Sequence, residues 1–251
     1  MGGHGGQEIV QLDMENKEFD NYLSTCFKEA NKMDIERCFA ELEVNYSDLL
    51  PSNKQARILD IGCGMGLFMK YLQRKGYANT MGIDIGREAI DYCKTSGLEN
   101  VLRVGSLVEF LSNKSGMFDF VILKSVIAHL PQDETIDALS AIRDCLKHDG
   151  KLVIETFNAS SWTGMFMRYN DFTHQNAFTE NSLKQVLLLA GFTKISIRPN
   201  KYAVKKLSQV VVFLIRRIWQ LLLRCIYVAE RGIGSNPCIL SKLLIAAAKV
   251  R

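Results

Sequence analysis

Apolar and polar positions change their period along the chain. From Phe19 to Leu50 apolar residues recur at helical spacing and stop at Pro51, which predicts one or two leading helices. Beyond that point short β-like apolar runs alternate with helical stretches. The runs are ARILDI (56–61), TMGIDI (80–85), NVLRVG (100–105), FDFVILK (118–124) and KLVIETF (151–157). Helices are predicted between them at 65–75, 87–96, 106–113 and 133–147. A run such as FVIL has no polar alternation, as expected of a strand covered on both faces. The alternation predicts an α/β fold, a parallel sheet with helices on either side.

The last third of the chain departs from that rhythm. NASSWTGMFMRYNDFTHQNAF (158–178) is too long for a simple turn, and long loops inside compact domains usually serve function. A helix is predicted from an N-cap at Thr179 to Ala190, stopped by Gly191, and FTKISIRPN (192–200) reads as a strand. The stretch 203–232 is rich in Val, Leu and Ile. Its longest uncharged run, Leu207 to Ile215, is far below the roughly 20 residues that cross a bilayer. On a helix, Lys205, Gln209, Arg216, Gln220, Arg224 and Arg231 form one narrow polar stripe, and apolar residues cover the rest.

Charge sharpens this division. The net charge of +4 is a sum of opposites: from Lys201 on, ten Lys and Arg face a single acid, Glu230, while the first 200 residues hold 21 basic and 26 acidic residues. A body of −5 thus carries a basic end of +9, which suits an anionic surface or substrate. The 251 residues, 47% hydrophobic, suffice for a core without disulfides or metal and exclude collagen-like, wholly disordered and multi-pass membrane classes. The seven cysteines are scattered without a CxxC pair, so no disulfide framework and no metal site is expected, and a cytoplasmic location fits. Residues 1–18 begin MGGHGG, lack the features of a secretory signal and read as a flexible tail, in which His4 is a solvated residue.

The strongest chemical signal is ILDIGCGMG, Ile58 to Gly66. Glycines at 62, 64 and 66 let the backbone turn tightly and approach a ligand, and the helix that follows offers free N–H groups. The dinucleotide fingerprint fails, because the third glycine follows the second by two residues and not three. D-x-G-x-G-x-G closing the first strand, with Asp84 ending the second, instead resembles the class I S-adenosylmethionine (SAM)-dependent methyltransferases. That resemblance implies a Rossmann-like seven-stranded sheet ordered 3-2-1-4-5-7-6. Its methyltransferase domain would span 56–251, with helices at 19–55 as a cap and 203–235 as an amphipathic insert between strands six and seven. Ile239 to Val250 would be strand seven. It also implies a cofactor site: Asp60, Gly62, Cys63, Gly64 and Gly66 in the loop, Asp84 on the ribose and Ile85 on the adenine. Ser106 and Leu107 follow the third strand, where the family often has Gly-Asp, and Lys124 stands at the end of the fourth.

Methyl transfer to a hydroxyl requires alignment, exclusion of water and removal of a proton. His174 in DFTHQNAFT is the candidate base, with Asp171 placed to orient its ring, and Trp162, Arg168 and Tyr169 are candidates for lining the acceptor pocket. His129, just past the fourth strand, reads either as a base or as a packing residue. The closing third of the chain resembles methyltransferases of surface-polysaccharide and lipopolysaccharide assembly and, less closely, the ubiquinone-biosynthesis O-methyltransferases. The resemblance implies O-methylation of a sugar or lipid-linked glycan, with a ubiquinone-type or other small-molecule acceptor as the alternative. A nucleic-acid methyltransferase is disfavoured, since LKSV stands where an Asn-Pro-Pro-Tyr-like tetrapeptide would be. For 203–231 two readings stand: contact with an anionic membrane, peripheral at its inner face, or a lid or dimer contact.

Overall fold

The computed structural model describes residues 34–203, 207–234, 237 and 239–250, together with Phe19, Tyr22 and Ser24. The expected tail (1–18), Cys26, Lys205 and Cys238 lie outside the described residues. The elements in chain order are α1 (Ile35–Tyr46), β1 (Ile58–Ile61), α2 (Leu67–Arg74), β2 (Thr80–Asp84), α3 (Arg87–Thr95), β3 (Val101–Arg103), α4 (Leu107–Leu111), β4 (Phe118–Lys124), α5 (Thr135–Cys145) and β5 (Leu146–Phe157). They continue with α6 (Gly164–Tyr169), α7 (Glu180–Leu189), β6 (Thr193–Pro199), α8 (Leu207–Arg231) and β7 (Leu243–Lys249). Phe19, Tyr22 and Ser24 are helical.

The seven strands form one sheet in the order β3-β2-β1-β4-β5-β7-β6, the order the resemblance implies. β7 runs antiparallel to β5 and β6, and the pairs among β1 to β5 are parallel. All four residues of β1 are buried, and the side-chain period of two sends alternate residues to opposite layers. Leu59 and Ile61 pack with Leu139 and Ile142 of α5 and Leu183 and Leu187 of α7. Ile58 meets the other layer, where Phe39, Leu42 and Tyr46 of α1 pack with Phe68 and Leu72 of α2. Helix ends follow local chemistry: Asp34 caps α1 by accepting from the Arg37 N–H, and Thr179 and Ser182 form a reciprocal capping box on α7.

The structure departs from the expected elements at three places. The helix predicted to reach 147 ends at Cys145, because Leu146 already pairs with Phe118 and the chain turns back through Asp149 at φ 62°. The long loop 158–178 contains the short helix α6. The third concerns the side of α8 that meets the protein. Its inward-facing residues are Gln209, Phe213, Gln220, Leu223 and Tyr227, so two members of the polar stripe turn toward the body. Much of the apolar surface is outward instead: Leu214, Ile215, Ile218 and Leu221 are each more than half exposed.

Candidate active site

β1 delivers Asp60 to the carboxyl edge of the sheet and the chain then passes through the glycine loop. Gly62, Gly64 and Gly66 have φ of 68°, 51° and 69°, values an L side chain rarely adopts. Gly62 and Gly66 also lack room: a Cβ would stand 2.2 Å from Val126 and 2.1 Å from Leu98. At Gly64 it would meet nothing within 4 Å, so the loop presents open space there. Asp84 at the tip of β2 accepts from the Gly64 and Gly86 N–H groups, each at 2.8 Å, which ties the loop to the neighbouring strand. Burial raises its carboxyl above the ordinary range against those bonds. Cys63 and Cys93 are buried beneath the loop, and the Cys93 thiol reaches the Gly64 carbonyl at 3.1 Å.

Asp60 is buried, and its Oδ2 has no hydrogen-bond partner among the described residues. Burial pushes its carboxyl up to about 8, opposed by the Lys124 charge and reinforced by Asp84. Lys124 pairs with Glu155 at 2.9 Å, and Glu155 also accepts from the Tyr46 hydroxyl at 2.5 Å. The Glu155 charge raises the Lys124 ammonium further, so the lysine stays charged beside Asp60. Glu155 and Tyr46 escaped the sequence reading. An acid inside the apolar run KLVIETF was the available signal.

Ser106 caps α4 by accepting from the Glu109 N–H and is exposed, and Leu107 opens that helix half-buried. Ile85 is half-buried beside Asp84. Ser125, the residue after β4, is held at φ 62°, a strained value for a serine, at the edge where these loops converge.

Across the sheet edge the loop after β5 is pinned to the β4–α5 connection. The N–H groups of Gln175 and Asn176 donate to the Ala128 carbonyl at 2.7 and 2.9 Å, and the Asn176 amide donates to the Leu130 carbonyl. This brings His174 and His129, 45 positions apart in sequence, to a ring separation of 4.6 Å. Phe157 covers His174, and Phe19 and Tyr22 meet His129 edge-on.

The expected pairing of Asp171 with the His174 ring is not what forms. His174 Nδ1 bonds the Met167 carbonyl at 2.8 Å, because α6 turns that carbonyl toward the ring. Asp171 Oδ1 instead accepts from the Thr173 N–H (2.9 Å) and hydroxyl (2.7 Å), and Oδ2 accepts from the Tyr22 hydroxyl (2.6 Å). The Thr173 oxygen also stands 3.0 Å from His129 Nδ1. Burial opposes ionisation of Asp171, but the bonds from Tyr22 and Thr173 outweigh it and hold the carboxyl below its usual range. Burial and the neighbouring His174 push His129 down to about 4, so its ring is neutral near pH 7.

The other lining candidates sit outside the histidine pair. Trp162 stacks edge-on against Trp219 of α8 at 5.2 Å, Tyr169 is exposed, and Arg168 donates to the Gln175 carbonyl.

A strand-loop-helix with three positive-φ glycines, an acid on the next strand and a sheet ordered 3-2-1-4-5-7-6 converge on one family. Its profile, described as a methyltransferase domain, matches residues 35–197. The chain belongs to that methyltransferase family. The match runs from α1 to β6 and leaves α8 and β7 beyond it. A ubiquinone biosynthesis O-methyltransferase of Xanthomonas oryzae pv. oryzae is 34% identical over 110 residues, 41% of this chain and 44% of that relative. A protein of the same name from Marinobacter nauticus is 31% identical over 134 residues, 50% of this chain and 54% of its own. The chain thus matches about half the length of these curated relatives. Among solved structures, a SAM-dependent methyltransferase from Archaeoglobus fulgidus superposes with a TM-score of 0.63 at 25% identity, covering 89% of this chain and 98% of its own.

Proposed function

We propose that this methyltransferase-family protein binds SAM and O-methylates a small hydroxylated aromatic acceptor of the quinone-precursor kind. The observation that carries the cofactor is the loop itself: open space at Gly64, whose N–H is held by the Asp84 carboxylate, after a strand that carries Asp60 with an unpartnered buried oxygen. Asp60 suits the cationic amino-acid end of SAM, and Asp84 suits the ribose hydroxyls while it holds Gly64. Ile85 and Leu107 supply apolar contact for the adenine. Ser106 is a weaker candidate there, since its hydroxyl oxygen already caps α4. When bound, SAM supplies a methyl group on a sulfonium sulfur.

The acceptor side supports a hydroxyl on a ring. Two histidines packed by Phe19, Tyr22 and Phe157 provide a proton acceptor within aromatic walls. The relatives named for ubiquinone biosynthesis favour this acceptor class over a glycan. The outward face of α8 offers a surface for docking on anionic lipid through exposed Leu, Ile and Arg residues.

The test has two arms. Calorimetry should show S-adenosylhomocysteine binding, weakened about 10- to 100-fold in Asp84→Asn, as loss of a charged hydrogen-bonding partner implies. Unchanged affinity in that variant removes Asp84 from the site, and no binding at all removes the cofactor. Transfer of labelled methyl from SAM to catechol but not to a free hexose supports the acceptor class, and the reverse preference restores the glycan.

A further inference from the structure

We propose that His129, rather than His174, takes the acceptor proton, and that Thr173 and Tyr22 are positioning residues that set its tautomer through Asp171. This rests on the proposed O-methylation. The argument is one of hydrogen-bond supply. An ionised carboxylate only accepts, and a threonine hydroxyl has a single proton. The Thr173 hydroxyl stands 2.7 Å from Asp171 Oδ1, so its proton lies on that bond. The contact of the same oxygen with His129 Nδ1, at 3.0 Å, is then made by an Nδ1–H that donates. Nε2 is then the nitrogen that carries the lone pair. Tyr22 fixes the far end by donating to Asp171 Oδ2 at 2.6 Å.

The chain Tyr22, Asp171, Thr173, His129 is a carboxylate-to-imidazole relay with one hydroxyl inserted. In the transfer the acceptor O–H bond breaks and an Nε2–H bond forms. The oxygen keeps the electron pair that makes its new bond to the methyl carbon. The positive ring then lies one hydroxyl away from the Asp171 charge, which favours the protonated state as it develops. His174 has no such link, because its Nδ1 is committed to the Met167 carbonyl. It serves as the ring against which His129 is packed.

The experiment reads the tautomer directly. Protein carrying 15N-labelled histidine is examined by long-range proton–nitrogen spectra at pH 7.5, with His129→Gln assigning the signals. Wild type should show His129 protonated at Nδ1 and bare at Nε2. Thr173→Val should move the proton to Nε2 in the larger part of the population, Thr173→Ser should restore the original form, and His174 should not change in either. With catechol as acceptor, Thr173→Val should lower kcat about 100-fold while KM changes little, the size expected when positioned acid–base catalysis is lost. Thr173→Ser should stay within about threefold of wild type, since its hydroxyl can make the same bonds.

An unchanged His129 tautomer in Thr173→Val overturns the relay. A changed tautomer with undiminished kcat keeps the relay and removes His129 as the base. Absence of methyl transfer by wild type to any hydroxylated acceptor leaves the spectra to decide the relay and defeats the O-methylation reading alone. Where Thr173→Val does not fold, Tyr22→Phe, which removes only the outer hydroxyl, should reduce kcat with the Nδ1–H form retained; unaltered kcat there excludes Tyr22.

Discussion

Gly62 and Gly64 share a positive φ but not the same surroundings, and the difference is measurable. An alanine at either position bears the left-handed penalty of about 1–2 kcal/mol. At Gly62 its Cβ would also stand 2.2 Å from the Val126 side chain. Overpacking of that kind adds about 1–3 kcal/mol. Gly62→Ala should therefore lower the melting temperature clearly more than Gly64→Ala, whereas Gly64→Ala should lose more S-adenosylhomocysteine affinity than its small stability loss implies. Equal melting and equal binding in the two variants would deny that Gly64 faces the ligand. Asp60 makes a second residue-scale prediction. Its folded pKa of about 8 lies above its value in an unfolded chain, so the folded protein holds the proton more tightly. Its contribution to stability is full at acid pH and declines as pH rises toward 8. A cationic ligand end beside Asp60 draws that proton off. S-adenosylhomocysteine titrated near pH 7 in phosphate and in Tris should give binding heats that differ with buffer ionisation enthalpy, and the difference should vanish in Asp60→Asn. Asp60 and Asp84 were legible because their motif is local in sequence. Thr173 was not, since a threonine acquires its role only from which acid and which imidazole it lies between.

Helix α8 is where reading by pattern and reading by contact diverge most. The polar stripe left two readings open, contact with an anionic membrane or a lid or dimer contact. In the fold, Gln209, Gln220, Leu223 and Tyr227 make the inward side, and Tyr227 donates to the Ser160 carbonyl. Leu214, Ile215, Ile218 and Leu221 are left exposed beside Arg216, Arg217 and Arg224. Among the described residues no helix is long and apolar enough to cross a membrane. Each arginine near an anionic surface contributes about 1 kcal/mol. Flotation with liposomes containing phosphatidylserine or cardiolipin should carry the wild-type protein, and Arg216→Glu, Arg217→Glu and Arg224→Glu together should abolish it. Flotation independent of charge and lipid, with a dimer in solution that Ile218→Glu dissolves, would assign the same face to a second copy of the chain.

At the scale of the whole molecule, one polar chain ties α1 to the carboxyl edge of the sheet. Tyr46 of α1 reaches through the core to Glu155 of β5, and Glu155 holds Lys124 at the end of β4. The same helix is clamped to the far edge of the sheet: Asn45 receives the Lys201 N–H at 2.7 Å and Arg198 of β6 pairs with Asp48 at 2.5 Å. Removal of the Tyr46 hydroxyl leaves a buried carboxylate one partner short, at a cost of about 1–3 kcal/mol. Tyr46→Phe should lower the melting temperature by roughly 2–12 °C, given that a domain of this size shifts about 2–4 °C per kcal/mol. Thermal unfolding that is unchanged would mean water replaces the hydroxyl.

The alternation of strands and helices, the glycine loop and the acid at the tip of β2 were legible along the chain alone. These depend on period, φ and spacing, which neighbouring residues impose on one another. Strand order followed from resemblance rather than from pattern, and the sheet bears it out. Which acid serves which histidine, the pairing of Lys124 with Glu155 and the side of α8 that faces outward became visible only in the fold. Each of those is a choice among chemically similar partners, and it is made by residues far apart in the chain that the sheet and its loops bring within hydrogen-bond reach.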